Sequence, residues 1–421
     1  MQNRKLNVAI VVGIFPSISE TFILNQILYL IQQGHKVTIL AYSEGNKEKI
    51  HEEIKKYNLL NKCLFYYRKD KGKVHTITTF FKMIVRNFPH LDYGLLLQSL
   101  NFFKYGKDAL LLNRFFEAQF FIPQNNFDLI HVHFADNALP IVNLFKEKRI
   151  KKIPLIVSFH GYDLRPDLLN SYITTYKYLF NYTEEFTVNG PYLYSLLTSI
   201  HKKENISILQ VSLDTNKFTR NRINKEENSA LKIIFCGRLI PFKAPNLTVD
   251  IIDELVNKRN YKNICLHIIG DGILRKEIEE KIQEKNLDRY IKILGALTQE
   301  TVFDEFNTAD IFLLPGIHEP GTNRAETQGL VIQEAQSMQL PVVVSDAGGM
   351  KDGLLDNITG FVVKEKDVIG FADKLELLIK SPNLRKQMGI AGREFVIENF
   401  DKEILGKRLV EIYKTVLDKI Q

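Results

Sequence analysis

Short apolar runs rich in β-branched residues recur along the whole chain, and nearly every one ends in a glycine or a charged residue. They occupy residues 7–12, 37–40, 129–134, 155–159 and the stretch around 206–211, then 231–236, 264–269, 291–294, 311–314 and 342–344. Continuous runs of this length suit strands buried on both faces, as in parallel sheets. Between them the apolar residues fall at helical spacing. Phe22, Ile23, Ile27, Leu28 and Ile31, stopped by Gly34, are the first example. Residues 6–43 therefore read as one βαβ unit. Strands alternating with helices through two halves predict an α/β chain of two doubly wound Rossmann-like domains facing across a cleft. A polar, aperiodic stretch at 221–229 sets the boundary between an N-terminal domain, 1–220, and a C-terminal domain, 221–421. A long helical region is expected over roughly 74–120. The final stretch, 371–420, is read as mostly helical, its last helix free to pack back on the N-terminal domain.

With 421 residues the chain has room for two such domains. Cys63, Cys236 and Cys265 are too widely spaced for a disulfide framework or a metal cluster, which makes a reducing, cytoplasmic setting the expectation. Arg4-Lys5 before an apolar run imitates a signal peptide. The run is short, ends at Pro16 and lacks a small-residue cleavage site, so it is read as a strand. No stretch approaches the ~20 apolar residues of a membrane-spanning helix. The net charge of +7 is uneven. Residues 1–220 hold 28 Lys+Arg against 18 Asp+Glu, or +10, and the remaining 28 against 31 leave −3. Nine basic residues lie between Lys55 and Arg86, interleaved with Phe65, Tyr66, Tyr67, Phe80 and Phe81. Cations mixed with rings suit an anionic membrane surface at the inner face, the plainer alternative being a solvated basic face. No nucleic-acid motif accompanies the patch.

Ligands of open parallel sheets bind beyond the C-terminal ends of the strands, so the residues after each run are the candidates. In the first half these are Gly13, Ser19-Glu20-Thr21 and His160-Gly161-Tyr162-Asp163. In the second they are Gly237-Arg238 with Lys243, then Gly270-Asp271-Gly272, Glu326 to Glu334, and Gly348-Gly349. Gly329 marks a turn and a helix begins near Leu330 and Val331, offering free N–H groups and a positive dipole end to a phosphate. Glu326 and Glu334, on either side, can accept hydrogen bonds from hydroxyl-rich groups. A diphosphate with sugars at both ends is a nucleotide-sugar. The plainer alternatives are glutamates at a helix terminus, an N-cap at Ser19-Glu20, structural strand histidines at His131 and His133, and a simple turn at Asp271. The chain has no Asp-x-Asp and no histidine or cysteine cluster with ligand spacing, so no metal and no cofactor is expected.

In order and spacing these motifs resemble the retaining glycosyltransferases of family 4, which have the GT-B fold. The likeness rests on Phe15-Pro16, Ser19-Glu20-Thr21-Phe22, Gly34-His35, His131-Val-His133-Phe and His160-Gly-Tyr-Asp163. It continues through Arg238 with Lys243, Gly270-Asp271-Gly272, the Glu326-x7-Glu334 pair and Thr359-Gly360-Phe361. The resemblance implies transfer, with retention, from a nucleoside-diphosphate sugar to a glycan or lipid-linked acceptor in surface polysaccharide biosynthesis. It implies that Arg238 and Lys243 hold the diphosphate, Glu334 the ribose, Glu326 the transferred sugar, and that His160 lies near the reacting centre. Ser19, Glu20 and His133 are then acceptor-side candidates. The chain departs from the family pattern at Ala244 and Gln339, where glycine is usual, and at Lys351-Asp352. A nucleotide-sugar epimerase and a catalytically silent glycan-binding subunit are the alternative readings.

Overall fold

The computed structural model describes residues 4–420 apart from 18, 49, 70–71, 125, 203 and 221–229. The boundary read at 221–229 thus lies outside the described residues. Two sheets organise the chain. The first contains β1 (Asn7–Phe15), β2 (Lys36–Glu44), β3 (Cys63–Phe65), β4 (Leu129–His133), β5 (Leu155–Phe159), β6 (Glu185–Val188) and β7 (Ile206–Ile208). The second contains β8 (Leu231–Cys236), β9 (Ile264–Ile269), β10 (Ile291–Gly295), β11 (Ile311–Leu314), β12 (Val342–Ser345) and β13 (Gly360–Val363). Their orders are β3-β2-β1-β4-β5-β6-β7 and β10-β9-β8-β11-β12-β13, and every pairing is parallel. Helices cover both faces, and the central strands are buried on both sides. Val8 to Val12 and Ile311 to Leu314 have essentially no exposed surface, which is why these runs are apolar without alternation. Strand order reverses between β1 and β4 in the first sheet and between β8 and β11 in the second. Such switch points open crevices at the C-terminal strand ends.

Two segments cross between the sheets side by side. Leu213 N–H donates to the carbonyl of Phe400 (3.1 Å), Lys402 N–H donates back to that of Leu213 (2.9 Å), and Thr215 Oγ1 donates to Asp401 (2.6 Å). Leu213 and Phe218 already pack in the core of the second sheet. The C-terminal helix, Lys402–Asp418, returns to the first, where Leu405, Leu409, Tyr413 and Val416 join the core beneath the first helix, Thr21–Gln32.

Several expectations need correction. β3, β6 and β13 were not anticipated, and the run at 206–211 supports only the three-residue β7. The region 74–120 is not one long helix. A helix at Lys73–Asn87 stops before Pro89, and short helical pieces follow, Tyr93–Ser99, Phe102–Tyr105, Lys107–Leu110 and Asn113–Glu117. Asp92 and Asn101 cap the first two, and Gly106, at φ +54°, breaks the chain between the second and the third. Three of the rings proposed for a membrane surface are packed inward instead. Tyr66 packs at a tilt or edge-on against Tyr42 and Phe120, Tyr67 at a tilt against Phe116, and Phe80 edge-on against Phe115.

Candidate active site

The loop after β8 carries Arg238 and Lys243, and the loop after β11 carries Glu326. Both therefore leave the switch point of the second sheet. The loop after β5 presents His160 from the first sheet. These four residues line one cavity of about 550 Å³ between the halves, together with Tyr162, Tyr192, Phe242, Arg324 and Thr327. The first four are sequence candidates that the structure brings to one cavity.

Lys243 and Glu326 form an ion pair inside the cavity, both side chains mostly buried. Burial alone would raise the Glu326 carboxyl. The Lys243 charge and hydrogen bond, with the N–H groups of Thr327 and Gly329, outweigh that and hold it below the usual carboxylate range. Glu326 is therefore ionised at neutral pH, against the N-terminus of the helix Leu330–Ser337, whose N-cap is Gly329 at φ +74°. The double glycine fixes this loop. Gly349 N–H donates to the carbonyl of Glu326 (2.7 Å). A Cβ on Gly348 would strike that carbonyl, and one on Gly349 would strike the carbonyl of Thr327. Backbone contact this close leaves room only for glycine.

Glu334, one turn into the helix, does not reach the large cavity. Together with Leu330 it faces a narrow crevice of about 40 Å³ that Thr21, Leu24 and Asn25 close from the first helix. Burial pushes its carboxyl up to about 7, with Lys243 pulling the other way. Val331 is partly buried against the second core.

Gly270-Asp271-Gly272 lies behind Arg238 rather than in the cavity. Leu239 N–H donates to the carbonyl of Asp271 (2.9 Å), Asp271 Oδ1 accepts from Gly272 N–H (2.8 Å), and a Cβ on Gly270, at φ +133°, would strike the carbonyl of Gly237. The segment thus buttresses the Arg238 loop. Gly13 sits in β1 facing the side chain of Asn137. Ser19 is exposed, its hydroxyl 3.4 Å from that of Ser17. Glu20 takes the N-cap position of the first helix without a side-chain bond to it, and burial raises its carboxyl.

His160 is held from behind. Its N–H donates to Asp163 Oδ1 (2.9 Å), while Asp163 Oδ2 accepts from Ala135 N–H (2.7 Å), tying the loops after β4 and β5 together. Its Nε2 lies 3.1 Å from His133 Nδ1, and the two rings stack at 5.3 Å. His133 in turn lies 4.4 Å from the ring of His131. His131 bonds Ser158 Oγ and Tyr413 OH, each at 2.7 Å. Burial lowers all three imidazoles, His131 and His160 to about 3. They are neutral at pH 7, so His160 meets a ligand as a hydrogen-bonding ring and not as a cation.

The halves meet around Thr327 and Gln328. Asn189 Nδ2 donates to Thr327 Oγ1 (2.9 Å). Gln328 pairs with the backbone of Val211 in both directions, at 2.7 and 2.9 Å. Sequence reasoning missed Asn189 and Tyr192 because it missed β6, whose end they follow. Arg324 lay in a polar tract and is held over the ring of Phe242 at 5.4 Å.

Comparison with known proteins agrees with this geometry. Residues 19–217 match the family described as Glycosyltransferase Family 4, and residues 216–395 match Glycosyl transferases group 1. The chain is 24% identical over 411 residues to the putative colanic acid biosynthesis glycosyltransferase WcaL of Salmonella typhimurium, covering 96% of this chain and 98% of that protein. It is 26% identical over 407 residues to the amylovoran biosynthesis glycosyltransferase AmsK of Erwinia amylovora, covering 94% and 97%. Among solved structures, Anabaena HepE in complex with UDP superposes with a TM-score of 0.71 at 13% identity, over 97% of this chain and all of that one. A glycosyltransferase from Rickettsia africae superposes at 0.69 with 19% identity, over 98% and 99%. The chain is a glycosyltransferase of the GT-B fold, built from a family 4 N-terminal half and a group 1 C-terminal half.

Proposed function

We propose that the chain transfers a sugar from a nucleoside-diphosphate sugar to a hydroxyl of a glycan or lipid-linked glycan, with retention at the anomeric carbon, in building a surface polysaccharide. The observation that carries the reading is the convergence of Arg238, Lys243, Glu326 and His160 on one cavity between the two switch points. The relatives named for colanic acid and amylovoran biosynthesis support the polysaccharide class, and the neighbour solved in complex with UDP supports a nucleotide ligand.

In this reading Lys243 and Arg238 take the diphosphate, and the N–H groups at Leu330 and Val331 meet its oxygens. Glu334 accepts from the ribose hydroxyls once the first helix draws back from its crevice, and the ionised Glu326 accepts from hydroxyls of the transferred sugar. The bond between the anomeric carbon and the phosphate oxygen breaks as the acceptor oxygen bonds to the same face. The acceptor proton passes to the departing phosphate. Charge accumulates on the diphosphate during this step, where two fixed cations stabilise it more than they stabilise the ground state. His160, neutral, hydrogen-bonds a sugar hydroxyl beside the reacting carbon. The step asks for no metal, so transfer persists in EDTA.

The test is proton NMR of the product formed from donor and an isolated glycan acceptor. An anomeric coupling matching that of the donor is expected. An inverted product would overturn the retaining step, an epimerised free sugar would assign the chain as an epimerase, and no product with any donor would favour a glycan-binding subunit.

A further inference from the structure

The helix Lys73–Asn87 carries one apolar face that is wider than its packing covers. Its inner side, with Phe80, Met83 and Ile84, packs on Leu91, Leu95, Phe115 and Phe116. Its outer side carries Val74, Ile77, Phe81, Val85 and then Phe88, spaced at three and four residues and 78, 49, 59, 74 and 62% exposed. That spacing aligns five apolar side chains in one stripe. The segment that follows adds Leu97, Phe103 and Leu110, each at least two-thirds exposed. An exposed apolar stripe of this kind, as on the helix, marks an interaction site.

Charge selects the partner. Lys73, Lys82, Arg86, Lys104 and Lys107 are all exposed over the same segment. Its two acids are engaged within the protein. Asp92 Oδ1 accepts from Leu95 N–H (2.8 Å), and Asp108 Oδ1 accepts from Asn113 Nδ2 (2.8 Å). A second copy docking by a two-fold axis would set cations against cations. An anionic lipid surface accepts the cations at its headgroups and the rings and branched chains just beneath. No helix among the described residues is long and apolar enough to cross a membrane, so attachment of this kind is interfacial. The helix also begins just after β3, whose C-terminal end lies at the same edge of the parallel sheet as the loop bearing His160.

We propose that this stripe is an interfacial anchor which seats the N-terminal half on an anionic lipid bilayer. The proposal deepens the reading above by specifying where a lipid-linked acceptor would be met. The test is flotation of the full chain with vesicles of phosphatidylcholine alone and with added phosphatidylglycerol, at low and high salt, beside a Phe81→Ser/Val85→Ser variant. The wild type is expected to float with the anionic vesicles and to be released by salt. The variant, having lost two inserted side chains, should bind about tenfold or more weakly, with its thermal shift by nucleoside diphosphates unchanged. Failure of the wild type to float with anionic vesicles would overturn the anchor, as would equal flotation of the variant. A wild-type dimer in sedimentation velocity that the variant loses would assign the stripe to a second copy and overturn it likewise. Failure of sugar transfer would strike the proposed reaction and not the anchor, because flotation reads the surface alone.

Discussion

Ala244 and Gln339 hold φ values of +48° and +56°, in the left-handed region that side chains with a Cβ enter at a cost. Both were visible in the sequence as places where glycine is usual, but the backbone reason was not, since residue identity alone does not report φ. Ala244 is the N-cap of the helix Pro245–Asp253 and follows Lys243 directly, so the strain sits beside the cation assigned to the diphosphate. Ala244→Gly should stabilise the protein by about 0.5–1 kcal/mol in urea unfolding, the relief of strain exceeding the extra entropy of the unfolded glycine. A loss of stability would mean that the αL assignment is wrong. Glu334 makes the opposite kind of prediction. Its carboxyl is raised from the usual range to about 7 by burial, so between pH 4.5 and 7 the folded protein holds a proton that the unfolded chain has released. Stability due to this group therefore falls as pH rises through that window. Glu334→Gln should be more stable than the wild type at pH 8 and little different at pH 5. It should also bind a nucleotide-sugar less well at pH 8, where the wild type offers a full carboxylate to the ribose.

At the scale of elements, the strands next to the switch points were legible because each is a continuous apolar run closed by glycine or charge. Three short strands farther from the switch points, β3, β6 and β13, were not. β6 begins at Glu185 and continues Phe-Thr-Val, four residues in which a buried acid and a threonine hide the pattern. Its loss concealed Asn189 and Tyr192, and with them the contact between the halves. The C-terminal helix poses a similar difficulty, because nothing local in its sequence states which core it joins. The structure ties it to the first sheet through the 2.7 Å contact of Tyr413 OH with His131 Nδ1, behind the stacked His133 and His160. Tyr413→Phe leaves that nitrogen buried without a partner and should cost about 1–3 kcal/mol of unfolding free energy. If the variant unfolds at the same urea concentration as the wild type, the contact does not hold the helix. Sequence spacing had given His131 and His133 as structural or functional alternatives. Packing makes His131 a link between helix and sheet, with His133 the ring on which His160 rests.

For the molecule as a whole, the two-domain α/β plan was legible from alternation alone, and the resemblance to family 4 placed the cleft before any geometry was known. What the sequence could not supply was the relation between the halves. It arises from two chain crossings bonded to each other at Leu213 and Lys402 and from the meeting of Asn189 with Thr327 and of Val211 with Gln328. These are polar contacts of a few residues, weak enough to open for a ligand and to re-form around it. They put Lys243 of one half within the same cavity as His160 of the other, the cavity proposed to receive a nucleoside diphosphate on Lys243. The direct measurement is titration calorimetry of UDP, GDP and ADP into the wild type and Lys243→Ala, with EDTA present throughout. One base is expected to bind the wild type, and the variant to lose about tenfold to a hundredfold in affinity, as for removal of a charge-assisted hydrogen bond. Equal binding by both proteins, or no binding of any nucleotide by the wild type, would contradict that proposal.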